Sequence, residues 1–309
     1  MFRRKRVFGA KIESVIGTPE TLTAADCDFN AYNVEIQGDI EFEKREDQGS
    51  FDRLKGVTGA RMGTVTLRTD ASWDGTATLP SWATKLLPLC GVVENANLFT
   101  PRCAAPGLLV KTGTIAVWED GVRKTLSGAV GTFRLVCPAG RTCYFEWTFT
   151  GVWQTPVAEA LPTPTYPAPF PLRYAQASTT FAGVALQTEQ ATIDIANQIT
   201  MRYDPTTESG YISGIIPDRE PVASVNPEFV LPSVQDRYRM WEDADEGALT
   251  YTLQGEGTST IGVTVPAAQI MRQQEGDREG IQTDDIEFSC NKNGANIDEM
   301  VQFLFTPTV

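Results

Sequence analysis

The chain of 309 residues contains no histidine. That absence removes the commonest general base and metal ligand, and it excludes Ser-His-Asp and Cys-His catalysis. Six cysteines are present (Cys27, Cys90, Cys103, Cys137, Cys143, Cys290), but no two form a C-x-x-C pair, and a zinc site would want closely spaced thiols or histidine. They read as reduced and mostly buried. Cys137 and Cys143 flank the turn "PAGRT" and could oppose each other across a hairpin; a disulfide there is the minority reading. No apolar run of membrane-spanning length occurs, and no apolar segment follows the basic start "MFRRKR", so a signal peptide and a membrane anchor are both disfavoured.

Nucleotide chemistry is missing too. The glycine clusters "GVTGARMG" and "GEGTSTIG" lack both the G-K-[ST] of a P-loop and the G-x-G-x-x-G of a dinucleotide fold, and they fit turns or bulges between strands. Carboxylates cluster in "EDADE" (Glu242, Asp243, Asp245, Glu246) and "TDDIE" (Asp284, Asp285, Glu287). Neither has calcium-loop spacing, and with 39 acidic residues such clusters arise without function. "SWATK", Ser81 to Lys85, misses the S-x-x-K spacing by one residue. No enzyme activity, metal or cofactor is expected.

What is present is acid and strand. There are 26 basic residues against 39 acidic ones, a net charge of −13, and Arg3, Arg4, Lys5, Arg6 and Lys11 all precede the first acid, Glu13. The remainder is more acidic still and should repel nucleic acid. The basic start itself reads as a solvated terminus, with docking on an acidic neighbour as the other possibility.

"VEIQGDIEFE" (34–43) alternates with period two. Val34, Ile36, Ile40 and Phe42 face one way; Glu35, Gln37, Asp39, Glu41 and Glu43 face the other, which predicts a half-buried strand with an acidic outer face. "ATIDIANQITMRY" (191–203) repeats the design, with Ile193, Ile195, Ile199, Met201 and Tyr203 opposed to Thr192, Asp194, Gln198, Thr200 and Arg202.

Between these strands, Pro156, Pro162, Pro164, Pro167, Pro169 and Pro171 suggest a semi-rigid linker over 154–172. "LPSWATKLLPLCG" and "LPSVQDRYRMWED" each predict a short helix, with Ser81 and Ser233 placed to cap, at corresponding points of two strand-rich halves. Later strands are expected at "TIAVWED", "VRKTLSG", "TFRLVC" and "CYFEWTFTGVW", and then at "LTYTLQG", "IGVTVPAAQI", "DIEFSC" and "MVQFLF". Trp118, Trp147 and Trp153 fall at core-like periodicity. The reading is mainly β: two tandem β-sandwich or half-barrel domains, each with one flanking helix, at 34–153 and 173–309. They are preceded by an N-terminal arm, 1–33.

That arm carries "GTPETLTAAD". Thr18 or Thr23 is placed as an N-cap, Pro19 at a first helical position and Asp26 in a first turn, yet no helix body follows. The segment, with Gly17, Thr18, Leu22 and Asp26 in a G-T-x-x-x-L-x-x-x-D pattern before a long strand, resembles the N-terminus of tailed-phage major tail tube proteins. "EFEKREDQGSFDRLKGVTGARMGTVTLRTD" is similar to that family's first strand, charged loop with Arg45 and Glu46, and second strand with Gly63 and Thr64.

The resemblance implies sandwiches whose inner strands close with neighbouring subunits into a barrel around a lumen. The simplest members use six one-domain subunits per ring. Two joined units resemble the long-tailed siphophage form, which implies a trimeric homo-oligomer with pseudo-sixfold symmetry. It implies rings stacked into a tube, non-contractile in keeping with the duplicated form, with tape measure protein and DNA passing through and tail terminator and tail-tip proteins at the ends. Location in the virion tail after assembly in the host bacterial cytoplasm, without membrane contact, follows.

The lumen candidates are Glu35, Asp39, Glu41, Glu43 and Asp194. Thr18, Pro19, Glu20, Leu22 and Asp26 are expected to bond to a neighbouring ring rather than to their own core, so that losing residues 1–26 would leave the domains folded. The rival readings are another virion structural protein (tail terminator, tail-tip or capsid decoration protein) and, more remotely, a carbohydrate-binding or glycosidase domain.

Overall fold

The computed structural model describes residues 5–101, 111–166, 171–255, 258–294 and 299–308, and the chain is mainly antiparallel sheet. The described strands of the first half are β1 (Arg6–Ile12), β2 (Tyr32–Glu46), β3 (Arg53–Asp70), β4 (Val92–Asn95), β5 (Leu98–Pro101), β6 (Gly113–Glu119), β7 (Val122–Pro138) and β8 (Tyr144–Ala158). The second half adds β9 (Thr179–Phe181), β10 (Val184–Ala185), β11 (Thr188–Asp194), β12 (Asn197–Tyr203), β13 (Tyr211–Arg219) and β14 (Val222–Pro227). After these come β15 (Glu246–Gln254), β16 (Thr260–Arg278), β17 (Ile281–Cys290) and β18 (Gln302–Thr306). Two short helices, α1 (Ser81–Leu86) and α2 (Arg237–Glu242), follow β3 and β14.

Eight strands lie side by side in the order β16-β17-β14-β11-β7-β8-β3-β2. Strict alternation makes this layer two-faced. On β8, Phe145, Trp147 and Phe149 are buried while Glu146, Thr148 and Thr150 look the other way. Val65, Leu67, Phe133, Leu135, Ile193, Ala223, Val225, Ile270, Ile286 and Phe288 extend the apolar face across the other strands. The Trp147 ring lies 5.2 Å from both Phe133 and Phe145, and its indole N–H donates to Thr69 Oγ1 at 2.9 Å, so the one polar atom of this aromatic cluster is satisfied.

β7 and β16 are long enough to belong to a second layer. Their N-terminal portions pair with β6 and β15, which in turn pair with β1 and β9. These strands fold over the apolar face, and Phe8, Ala10, Ile115 and Val117 join the same core. The pairing order β1-β6-β7-β8-β3-β2 of the first half therefore recurs as β9-β15-β16-β17-β14-β11 in the second. The halves meet through β7 with β11 and β5 with β18, and they share one hydrophobic core.

Several expectations are corrected. "VRKTLSG" and "TFRLVC" are one strand, because Gly128, at φ +56, absorbs a bulge between Ser127 and Val130. The strand expected at 191–203 is broken into β11 and β12 at Ala196, whose φ is 46 and whose N–H is taken by Asp194 Oδ1. β12 then pairs with β13 in a separate ribbon, leaving Tyr203 exposed. β2 is unbroken, but its apolar face is covered only at its start. Ile40 and Phe42 are 44% and 61% exposed, because the far part of the β2–β3 hairpin projects as a two-stranded arm.

β8 runs to Ala158, so 154–158 is strand rather than linker. Pro156 is tolerated there because it sits at a register shift beyond the end of the β3 ladder. At the linker's other end Leu172 is fully buried; Pro167 and Pro169 lie outside the described residues. The helix caps differ as well. Ser81 is inside α1, behind Pro80, and its hydroxyl donates to Asp28; Ser233 precedes α2, which Asp236 caps by accepting from the Arg239 N–H at 3.0 Å.

The arm is part of the body. β1 pairs with β6 over its whole length, and Leu22 and Cys27 pack with Val7, Ala116 and Trp118 on the outer side of that pair. Removal of residues 1–26 is therefore expected to abolish cooperative unfolding or lower the melting temperature sharply. Phe8→Ala alone should cost about 3–5 kcal/mol. Thermal melts followed by circular dichroism check both, and a truncated chain that melts like the full one would reinstate the arm as a detached segment.

Candidate assembly surface

The apolar face of the eight-stranded layer is closed, and the β12–β13 ribbon covers one end of the opposite face over Val130, Val152 and Met62, so the rest of that face and the two edges are what the layer offers. The polar face is built on hydroxyls: Thr64 and Thr66 on β3, Thr148 and Thr150 on β8, Thr132 on β7, Thr192 on β11, Ser224 on β14 and Ser289 on β17. Charges cross it in alternation. Arg68 opposes Glu146, Glu146 opposes Arg134, and Arg134 opposes Asp194. The Arg68 guanidinium bonds Glu146 at 2.9 Å while stacking 3.7 Å above the Tyr144 ring, and Arg272 lies 3.8 Å from Glu287. Glu35 opposes Thr66 at the β2 edge of this face, and Asp194 lies on the same face beyond β3, β8 and β7, just across the junction of the halves.

Asp39, opposite Met62, lies at the last position of β2 within the layer, and Glu41 and Glu43 lie farther along, on the projecting arm; Asp39 and Glu41 stand near Tyr211 of β13. Glu41 falls within a register shift between Ile40 and Phe42. Arg202 is on β12, outside the eight-stranded layer. The face is thus less acidic than its strand patterns suggest, since Arg68, Arg134 and Arg272 stand among the acids. The positions of Arg68 and Arg134 were legible from the alternation of "TLRTD" and "TFRLVC", which places each opposite the apolar side; Arg272 follows a register shift after Ile270.

The edges are open. β2 pairs with β3 on one side only, and no described strand lies along the other. β16 pairs with β15 only as far as Gln269, so the flank from Ile270 to Arg278 opposite β17 carries no strand among the described residues. The Gln273 side chain on this stretch is buried, and neither of its amide atoms has a partner.

In the N-terminal segment, Thr23 and Asp26 form a reciprocal capping box over a 3-10 turn, Ala24–Cys27. Thr18 and Pro19 are exposed and cap nothing, while Leu22 is buried. Glu20 accepts from the Ser14 hydroxyl at 2.6 Å and pairs with Lys11 at 3.0 Å, and these contacts hold its carboxyl down to about 2. Sequence reading missed Glu13. Its buried carboxylate accepts from Thr112 Oγ1, Thr114 Oγ1 and the N–H groups of Gly17 and Gly128, tying the arm to the bulge in β7. Apart from Gly17 nothing local marks this, because the other partners lie 99 to 115 residues away in the chain.

Other chemistry is structural. Asp284 turns away from Asp285 and pairs with Arg237 at 2.8 Å, with both side chains almost fully buried. Burial lowers the Arg237 pKa, and Asp284 acts against that shift. Cys137 and Cys143 are free thiols, as are Cys27, Cys90 and Cys290, and burial pushes Cys27 and Cys290 up to about 12. Among the described residues no group of three or more Cys, Asp or Glu side chains could hold a metal ion, and no helix is long and apolar enough to cross a membrane.

Asp284→Asn, which strands the buried Arg237 cation, should destabilise by about 3–5 kcal/mol, whereas replacing both partners by apolar residues should cost much less. Urea titrations of both single variants and the double variant test this; a double loss equal to the sum of the single losses would mean the pair carries no mutual dependence.

Comparison with known proteins fits the two-faced, open-edged sheet. No curated protein matches the chain. A family model described as phage tail tube protein matches residues 4–290. A match over nearly the whole chain, together with the mainly β fold, establishes that this chain belongs to the phage tail tube protein family and is a structural component of the virion tail.

Proposed function

We propose that the chain is the ring-forming subunit of a siphophage tail tube, that three chains close each ring with pseudo-sixfold symmetry, and that genomic DNA passes through the stacked rings during ejection. The observation that carries this reading is an eight-stranded sheet with one sealed apolar face, one polar face and two unpaired edges. Exposed edges are hazards in a monomer and vanish when a ring pairs them. Eight strands alone would make a barrel filled by its own side chains. Three chains give about 24, beyond the roughly 16 to 18 strands that already enclose an aqueous channel. With ordinary strand spacing and tilt, such a barrel would be roughly 45 Å across between backbones, wide enough for a DNA duplex.

The recurrent pairing order supports two tandem units around the 154–172 segment: 34–153, extended back to include β1 and forward through Ala158, and 173–309. The wall suits passage. Hydroxyls and arginines matched by carboxylates offer few free cations for phosphate, and whatever repulsion the excess acid adds is screened over roughly 8 Å at physiological salt. We assign Glu35 and Asp194 to this wall. Asp39, Glu41 and Glu43 join it where the arm turns inward, and Thr18, Pro19, Glu20 and Asp26 face the next ring. Tape measure protein within the lumen, terminator and tip proteins at the ends, and assembly in the host cytoplasm belong to the same reading.

Negative-stain imaging of the purified full-length chain should show long hollow tubes with three chains per ring. Rings that never stack would favour a terminator, and six full chains per ring would overturn the trimer. Glu35→Lys combined with Asp194→Lys should leave tubes that assemble but pass DNA several-fold more slowly, with the delay growing as salt falls. Ejection timed on particles built with this variant checks it, and unchanged kinetics would remove these residues from the inner wall.

A further inference from the structure

The chain already contains one junction of the kind a ring needs, and its geometry can be carried to the open edges. Where the halves meet, β11 runs antiparallel to the C-terminal part of β7, with Thr192 opposite Val136, Ile193 opposite Leu135 and Asp194 opposite Arg134. On the shared pairing order, β2 stands in the first half where β11 stands in the second, and β16 stands in the second where β7 stands in the first.

The register follows from the core. Ile36 is aligned through Val65 with Phe149, and Ile193 is aligned through Ala223 with Phe288, which makes Ile36 the counterpart of Ile193. Four residues before those phenylalanines, Phe145 opposes Leu135 and Asp284 opposes Glu275, so Glu275 is the counterpart of Leu135.

We propose that each ring is sealed by a β-ladder in which residues 34–37 of one copy pair antiparallel with residues 274–277 of the next. Gln37 then opposes Gln274, Ile36 opposes Glu275 and Glu35 opposes Gly276. The seam rests on the tube reading and gives it a register.

Three features of the free chain fit this occupant. The flank of β16 that would receive β2 is the stretch without a strand, and it lies on the side of β16 that carries β15, as the side of β7 that receives β11 carries β6. Gln273, with its orphaned buried amide, lies on that flank. The third feature is the arm. The β12–β13 ribbon, which extends the β11–β14 hairpin, lies back over the first half, with Met201 and Tyr211 against Val152 and Gly214 against Val130. Its counterpart, the far part of the β2–β3 hairpin, touches its own chain only near its base, where Ala60 and Arg61 meet the turn of that ribbon, and leaves Ile40, Phe42, Leu54 and Val57 exposed. Seating β2 on the next copy brings this arm over that copy's second half.

Gln37 and Gln274 are both exposed and occupy opposite edges of the eight-stranded layer, roughly 30 Å apart at ordinary strand spacing, so they cannot be bridged within one chain. The test uses full-length protein carrying Gln37→Cys and Gln274→Cys, assembled under reducing conditions and then oxidised. Covalent species ending at three chains are expected on non-reducing gels. Each single variant should stay monomeric on the gel, and co-assembly of the two single variants should yield dimers. Gln37→Cys with Arg272→Cys, two residues out of register, should link at least several-fold less. Tubes that form without the cross-link, or that link better in the shifted pair, overturn the seam and leave the tube reading standing. A wild-type chain that forms no rings under any condition overturns both.

Discussion

The ladder between β7 and β11 is the contact on which the rest of the architecture depends. It spans only Gln190 to Asp194 on one side and Arg134 to Pro138 on the other. Without it there would be two four-stranded sheets, each with a greasy face and two open margins. With it there is one layer, one continuous apolar face and a polar face whose charge row runs uninterrupted from Arg68 to Asp194. The second layer is subordinate, since β6 and β15 are carried by the near ends of strands whose far ends serve the first. A strand shared between layers leaves little freedom for either to shift, because any rotation of the lid drags the inner sheet.

The two faces solve different problems. The inner core is sealed by aromatic side chains stacked two residues apart on β8, and the ion pair buried in it, Arg237 with Asp284, is held by mutual charge compensation although Arg237 Nη2 and Asp284 Oδ1 have no hydrogen-bond partner. The outer face has no such pressure toward neutrality. Its arginines nevertheless stand next to carboxylates, which holds the field near the backbone weak even though the whole chain carries a charge of −13.

Much of this was legible in the sequence because strand alternation is a local signal. "CYFEWTFTGVW", "TFRLVC" and "DIEFSC" announce which side chains turn inward, the two short helices appear where "SWATKL" and "RYRMWE" place them, and the resemblance carried by "GTPETLTAAD" named the correct family. What was misread depended on partners remote in the chain. Ile40 and Phe42 carry the alternation of a buried face, but burial requires a covering surface that their own chain does not supply. The N-terminal segment looked detached because its polar residues are seen first, while the residues that fix it, Phe8, Ala10 and the buried Glu13, answer to β6 and β7. The break at Ala196 and the bulge that keeps β7 continuous at Gly128 turn on single dihedral angles that composition does not encode.

The thiols have a consequence of their own. Cys27, Cys90, Cys137, Cys143 and Cys290 are all unpaired and enclosed, and those whose ionisation is perturbed are pushed away from the reactive thiolate. No disulfide among them has to form for this fold to be complete, and none has to survive. As far as these five thiols are concerned, the fold asks for the same covalent structure in reducing and in oxidising surroundings, so its stiffness does not have to wait for a change of redox compartment.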